Sequence, residues 1–320
     1  MIELATKIKQ KKISWLWPGW IPRGKLTVLD GDPGMGKSTI TADIAARVTH
    51  GAGSPCGTCR VSKGRVLISS AEDDPGDTTI PRLIAATADL EKIDFWSEII
   101  DKAGSRPIEL PTDLPFLTSR YALWIIDPIV AFLSGRIDAC RDQEIRRGLH
   151  QLAGIAAEKG MAVLMVRHLN KSSGTKAIYR GGGSIGIVGA ARSGLIVTSD
   201  SENRRHLAVA KSNLAAIPMA LRYRLVPEGD VCTVAWEGPV DLKADDLLAA
   251  DVERRAAPVR AACVDDLRSL LAEHNGSIRA EDASIVLTTN GHSHATIQRA
   301  RQELGICSRK NGDGWIWTIN

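Results

Sequence analysis

The sequence predicts an α/β fold with a mainly parallel sheet, followed by a small C-terminal winged helix-turn-helix domain. Three observations carry that expectation. Short β-branched or apolar runs alternate with helical patterns from Lys25 to about Trp236, the signature of a sheet covered by helices. Most of those runs lack polar alternation, so they are buried on both faces. After Trp236 the composition turns to Pro, Asp, Ala and Glu as far as roughly Pro258, and beyond it three short helical patterns precede a turn-bearing strand pair. The expected division is residues 13–238 for the α/β domain, 239–257 for a linker or helical spacer, and 258–320 for the winged helix.

In chain order, the expected strands are Leu26 to Asp30, Val66 to Ser70, Leu123 to Asp127, Ala162 to Arg167, Leu195 to Thr198 and Leu207 to Lys211. A hairpin of Ala220 to Val226 with Val231 to Trp236 completes the set. Between them, Gln143 to Lys159 places Ile145, Leu149, Leu152 and Ile155 on one face and stops at Gly160, a helix with its C-cap. In the C-terminal part, Ala261 to Glu273, Arg279 to Leu287 and Ser293 to Leu304 read as helices. Ile306 to Ile319 then reads as a strand pair around Asn311-Gly312-Asp313-Gly314.

Bulk composition narrows the class further. A hydrophobic share of 44% over 320 residues is enough for a sizeable core. Apolar runs stop short of the roughly 18 residues a membrane span needs, because Asp127-Pro128 and Arg192 interrupt the best candidates. Lys7, Lys9, Lys11 and Lys12 lead into Trp15-Leu16-Trp17-Pro18 and not into an apolar secretory segment. The expectation is a soluble, cytoplasmic protein with no membrane partner. Cys56 and Cys59 form a close pair, but no second ligand pair follows at zinc spacing, so the reading is a turn with two free thiols. A net charge of +4 permits nucleic-acid contact without demanding it.

Chemistry concentrates after the first core strand. Gly31-Asp32-Pro33-Gly34-Met35-Gly36-Lys37-Ser38-Thr39 matches G-x-x-x-x-G-K-S between a strand and the helical run Ile40 to Val48. Glycines let backbone N–H groups close on a phosphate, the helix N-terminus adds its dipole, Lys37 reaches the β/γ oxygens and Ser38 takes a metal. ATP and Mg²⁺ are therefore the expected ligands. Tyr121 to Asp127 is an apolar strand ending in a carboxylate, the arrangement that holds the same metal through its water shell. Val66 to Ser70 leads to Glu72, a candidate base for the attacking water, with Asp73 the alternative.

Further along, His168 closes the strand Met161 to Arg167, where it either senses the γ-phosphate or is a satisfied core histidine. The segment 171–183, with Lys176, Arg180 and three consecutive glycines, reads as a basic loop for single-stranded DNA or as a merely solvated one. In the C-terminal domain basic and acidic residues are equal in number. Arg299, Arg301, Arg309 and Lys310 nevertheless gather on the third helix and wing, with His292 and His294 at the helix start. Residues 292–310 are thus a candidate duplex-DNA face, with protein docking the alternative. Trp15, Trp17 and Trp20 read as packing on a strand edge beside the nucleotide site, or as an exchanged arm.

Taken together, Gly31 to Thr39, Ala71-Glu-Asp-Asp74, Ile125-Ile-Asp127-Pro, Arg167-His168-Leu-Asn-Lys171, Arg180-Gly-Gly-Gly-Ser184 through Arg192, and Lys211-Ser-Asn213 carry a family likeness. In this order they resemble the RepA-type, AAA_25 branch of RecA-like ATPases, whose best-known members are hexameric plasmid helicases. The resemblance implies a homo-oligomeric ring with ATP at the subunit boundary. It also implies that Arg192 serves a neighbour's γ-phosphate as an arginine finger, with Lys211 near the same boundary. From the sequence itself Arg192 is a polar break in a helix. The winged helix departs from the family pattern and puts plain replicative unwinding in question.

Overall fold

Contiguous apolar runs make the central strands. The computed structural model describes residues 2–101, 104–118, 120–134, 142–168, 185–312 and 314–319. Its strands are β1 (Trp15–Trp17), β2 (Ile21–Pro22), β3 (Leu26–Gly31), β4 (Val66–Ser70), β5 (Ile93–Phe95), β6 (Glu98–Asp101), β7 (Gly104–Pro107), β8 (Leu123–Asp127) and β9 (Ala162–His168). They continue with β10 (Ser193–Ser199), β11 (Arg205–Ser212), β12 (Ala220–Glu228), β13 (Val231–Val240), β14 (Ser277–Arg279), β15 (Cys307–Asn311) and β16 (Gly314–Thr318). Helices are α1 (Lys37–His50), α2 (Ile80–Ala85), α3 (Asp142–Lys159), α4 (Ile185–Ala190), α5 (Ala244–Glu273), α6 (Ala280–Thr289) and α7 (His294–Glu303).

One sheet takes the order β13-β12-β11-β10-β3-β9-β8-β4-β5. It is parallel from β10 to β5 and antiparallel from β10 out to β13. That mixed α/β arrangement fits a RecA-like P-loop core. Strand residues alternate between two cores because side chains alternate across a sheet. Leu29, Ile125, Leu164 and Leu195 meet Ile40, Ile44 and Val48 of α1 on one face. Val28, Ile126, Val163 and Met165 meet Ile145, Leu149 and Leu152 of α3 on the other. Trp17 and Trp20 stack at 4.6 Å between ring centroids and are buried in the core on the α1 face.

Between β3 and β9, Arg167 holds Asp30 bidentately, Nε to Oδ1 and Nη2 to Oδ2, both at 2.7 Å, and both side chains are almost fully buried. Breaking such a pair strands a charge in the interior. Arg167→Met is therefore expected to lower stability by about 3–5 kcal/mol, and the double change with Asp30→Leu to recover much of that. Denaturant midpoints check this; a single variant as stable as the parent contradicts it.

The chain divides into two units, Met1–Leu248 and Ala249–Asn320. The division falls inside the stretch 239–257, and α5 runs unbroken across it with Pro258 inside the helix. The helix starts early because Ala244, Leu247 and Leu248 cover Ile196, Ala208 and Ala220 on the sheet, which a solvated linker would leave exposed. In the second unit, α6, α7 and the C-terminal part of α5 enclose Leu267, Leu271, Leu287 and Ile297 against a sheet of order β14-β16-β15. Among the described residues no helix is long and apolar enough to cross a membrane.

Candidate functional site

At the carboxyl end of β3 the chain turns through Asp32 to Gly36 into α1, whose N-cap is Gly36. Gly34 and Gly36 take φ of +78° and +83°, values that side chains with a Cβ rarely adopt. Gly31 has a different reason to be glycine: a Cβ there would lie 2.1 Å from Val197 Cγ2 on β10. The resulting loop wraps Lys37. Its Nζ donates to Gly31 O at 2.8 Å, to Asp32 O at 3.0 Å and to His168 Nδ1 at 3.2 Å.

Strand register brings the other groups to the same end. Gly31 is level with His168 on β9, and Asp127 on β8 is level with Ser70 on β4. Ser38 Oγ donates to Asp127 Oδ2 at 3.0 Å. Since Lys37 donates to His168 Nδ1, the imidazole proton sits on Nε2, which faces Glu72 Oε2 at 3.4 Å. Burial pulls the Lys37 ammonium below its usual range, against Asp127, Asp32, Glu72 and Asp30, whose charges favour the proton. Burial likewise pushes the Asp127 carboxyl up, opposed by the Ser38 hydrogen bond and reinforced by the charge of Glu72.

Of the two acids after β4, Glu72 lines the cleft with Lys37, Asp127 and His168. Asp73 is instead ion-paired with Arg82 of α2, and its N–H donates to Ser70 Oγ at 3.2 Å. The cleft has a volume of about 670 Å³.

Its far wall was not foreseen from the sequence. The β12–β13 hairpin reaches over the loop: Leu225, Pro227, Val231 and Cys232 line the cleft, and Leu225 lies so close to Gly36 that a Cβ there would meet it at 2.8 Å. Tyr223 Oη donates to Met35 O at 2.6 Å, and Trp236 Nε1 to Asp43 Oδ2 of α1 at 2.9 Å. Burial holds the Tyr223 phenol well above its usual range, keeping it a donor. The signal in the sequence was only an apolar hairpin; nothing local aims its tip at Gly36.

Arg192 and Lys211 lie elsewhere. The Arg192 N–H donates to Leu26 O, level with the start of β3. Five residues of strand separate that point from Gly31, about 16 Å. Lys211 Nζ caps α4, donating to Val188 O at 2.6 Å and Ala191 O at 2.8 Å. Burial and then the charges of Arg192 and Arg146 pull its pKa down. A cavity of about 430 Å³ holds Lys25, Arg146, His150 and Arg192 at this end.

The segment 171–183 lies outside the described residues. Cys56 and Cys59 are free thiols in a tight turn, Ser54 N donating to Cys59 O at 2.7 Å, and no group of three metal-ligating side chains forms among the described residues. Of the basic set at 292–310, Arg301 packs over the Trp317 ring at 4.1 Å and His292 bonds Asp266 at 2.9 Å, so both serve the fold. His294, Arg299, Arg309 and Lys310 are exposed.

Lys37 and the paired oxygens of Ser38 and Asp127 thus stand together at the N-terminus of α1, where the helix dipole favours an anion. In comparison with known families, the model described as AAA domain matches residues 3–174. No curated protein matches the chain.

Proposed function

This chain belongs to the AAA-domain family, and from that premise we propose that it is a ring-forming, ATP-driven motor on DNA, a helicase or translocase of a plasmid, phage or mobile element. Family membership carries ATP binding and ATPase activity in general. One observation supports the ring above all. Lys37, Ser38, Asp127 and Glu72 stand at the carboxyl end of the parallel strands, whereas Arg192 stands at the opposite end of β10, beside β3. An arginine so placed cannot reach its own cleft, but it meets the next one when subunits stack head to tail. Such heterologous contacts form a ring when the rotation between neighbours closes, and otherwise a filament.

Within the cleft, Lys37 and the N–H groups opening α1 bind the β- and γ-phosphates. Ser38 Oγ and Asp127 Oδ2, 3.0 Å apart, are hard oxygen donors and suit Mg²⁺. When bound, that ion neutralises phosphate charge. Glu72 takes the proton of the attacking water as the bond between the γ-phosphorus and the bridging oxygen breaks and ADP leaves. His168, bridging Lys37 and Glu72, registers whether a γ-phosphate is present. A neighbour's Arg192 stabilises the charge that develops.

For DNA, the segment 171–183, which begins three residues past His168 in the sequence, is assigned to single strands. Residues 258–320 supply a winged helix, with His294, Arg299, Arg309 and Lys310 facing solvent towards duplex. A forked duplex incubated with purified protein and MgATP is expected to separate. If no strand is displaced while DNA still stimulates ATP hydrolysis, the second reading stands: an ATP-switched regulator or loader. That reading is favoured by the separate C-terminal unit.

A further inference from the structure

We propose that Cys56 and Cys59 are a dithiol–disulfide exchange site, Cys56 attacking a low-molecular-weight disulfide such as oxidised glutathione and Cys59 resolving the mixed disulfide. The chain leaves α1 at Gly51 and folds back on itself. Gly53 pairs with Arg60 in an antiparallel bridge, and Ser54 N donates to Cys59 O at 2.7 Å. Gly57, at φ +71°, turns the tip between the two cysteines. Both sulfurs meet the same hydroxyl, Cys56 Sγ at 3.1 Å and Cys59 Sγ at 3.2 Å from Ser54 Oγ. They are half-buried, while Gly57 and Thr58 between them are exposed, so a small reagent reaches the pair.

The surroundings of Cys56 favour its anion. Cys59 Sγ donates to Ser54 Oγ, which leaves the Ser54 proton to point at Cys56. Thr58 Oγ1 lies 3.1 Å from the Cys56 sulfur on another side. In the core against which Cys56 packs, Trp17 Nε1 is fully buried with no partner at hydrogen-bond geometry among the described residues. Such an orphaned donor is better satisfied by a thiolate than by a thiol. Burial pushes the Cys56 thiol up, but the Ser54 and Thr58 hydroxyls, the Thr58 N–H and the Trp17 indole outweigh it and bring it down to about 7. Near neutral pH a large share of Cys56 is then thiolate, the form that attacks.

The exchange balances without a cofactor. Cys56 thiolate attacks one sulfur of the disulfide, forming a bond to one glutathione while the other leaves as its thiolate. Cys59 then attacks Cys56 Sγ and displaces the bound glutathione, which takes the Cys59 proton with Ser54 Oγ as relay. Two electrons pass from the protein dithiol to the small disulfide, and a Cys56–Cys59 disulfide remains. The 14 residues of α1 put about 20 Å of helix between this turn and Lys37, so the site is distinct from the phosphate cleft.

The test uses the full chain, in which cleavage after Arg47 and Arg60 leaves both cysteines in one tryptic peptide. At pH 6, iodoacetamide should alkylate Cys56 about fivefold faster in the folded chain than in the urea-unfolded one, because the gain in thiolate outweighs its lower nucleophilicity. Thr58→Val, at an exposed position, should move the titration of that reaction up by about one pH unit, the scale of one lost hydrogen bond. In a buffer of reduced and oxidised glutathione the peptide should lose two hydrogens in mass. Cys59→Ser should instead keep one glutathione on Cys56, and Cys56→Ser should leave Cys59 unmodified over the same time. Alkylation of folded Cys56 no faster than in the unfolded chain, or a Cys59→Ser chain that takes up no glutathione, overturns the proposal.

Discussion

Arg192→Ala subunits are expected to bind ATP and not turn it over, Lys37→Ala subunits to lose tight binding, and a mixture of the two to regain activity. The expectation follows from the sheet. Arg192 is level with Leu26, at the opposite end of β3 from the loop that holds Lys37. That places it out of reach of its own cleft, and in the ring proposed above it serves a neighbour's nucleotide. An arginine that meets the γ-phosphate as charge develops is worth about 10³ to 10⁵ in rate, so each pure variant should be close to silent. Random assembly pairs an intact Lys37 with an intact Arg192 at roughly one boundary in four. Measured turnover of the mixture, with co-assembly confirmed by mass, checks this. Activity no greater than that of the two proteins assayed apart rules out the shared site.

Glu72→Gln is expected to retain ATP affinity while turnover falls by about 10² to 10⁴, the usual contribution of a positioned general base. Gln keeps the shape of the side chain and cannot take the proton. Asp73→Asn should do much less to chemistry, because Asp73 is committed to Arg82 beside the cleft. Single-turnover rates with bound ATP separate the two. If hydrolysis survives in Glu72→Gln and stops in Asp73→Asn, the base is Asp73.

How much of this was legible in the sequence depends on the range of the interaction. Strands such as Leu123–Asp127 and Ala162–His168 announce themselves because both faces are buried and the apolar run is continuous. The phosphate loop is equally plain, since glycine positions, Lys37 and Ser38 are neighbours in the chain. Pairings between distant residues leave no local mark. Arg167 and Asp30 lie 137 positions apart, and Tyr223 and Met35 188 apart. Each looks ordinary where it stands, an arginine in a strand or a tyrosine in a hairpin. The β6–β7 hairpin was missed for another reason: Gly104–Pro107 is largely exposed and carries no apolar alternation. The early start of α5 was hidden because Ala244, Leu247 and Leu248 read as polar-rich spacer until the sheet they cover is in view.

The buried Asp30–Arg167 pair has a mechanical consequence. It clamps β3 to β9 one residue before each strand delivers its functional group, Gly31 with the loop on one and His168 on the other. Lys37 and His168 are thereby mounted on one rigid beam, and the hydrogen bond between them reads as a fixed gauge. In the motor proposed above, a stroke driven by ATP hydrolysis hinges to either side of this beam. On one flank stand β8, β4 and Glu72; on the other stand β10 and the strands leading to the hairpin. Backbone amides of β3 and β9 should accordingly be the last in the sheet to exchange hydrogen at every stage of the cycle.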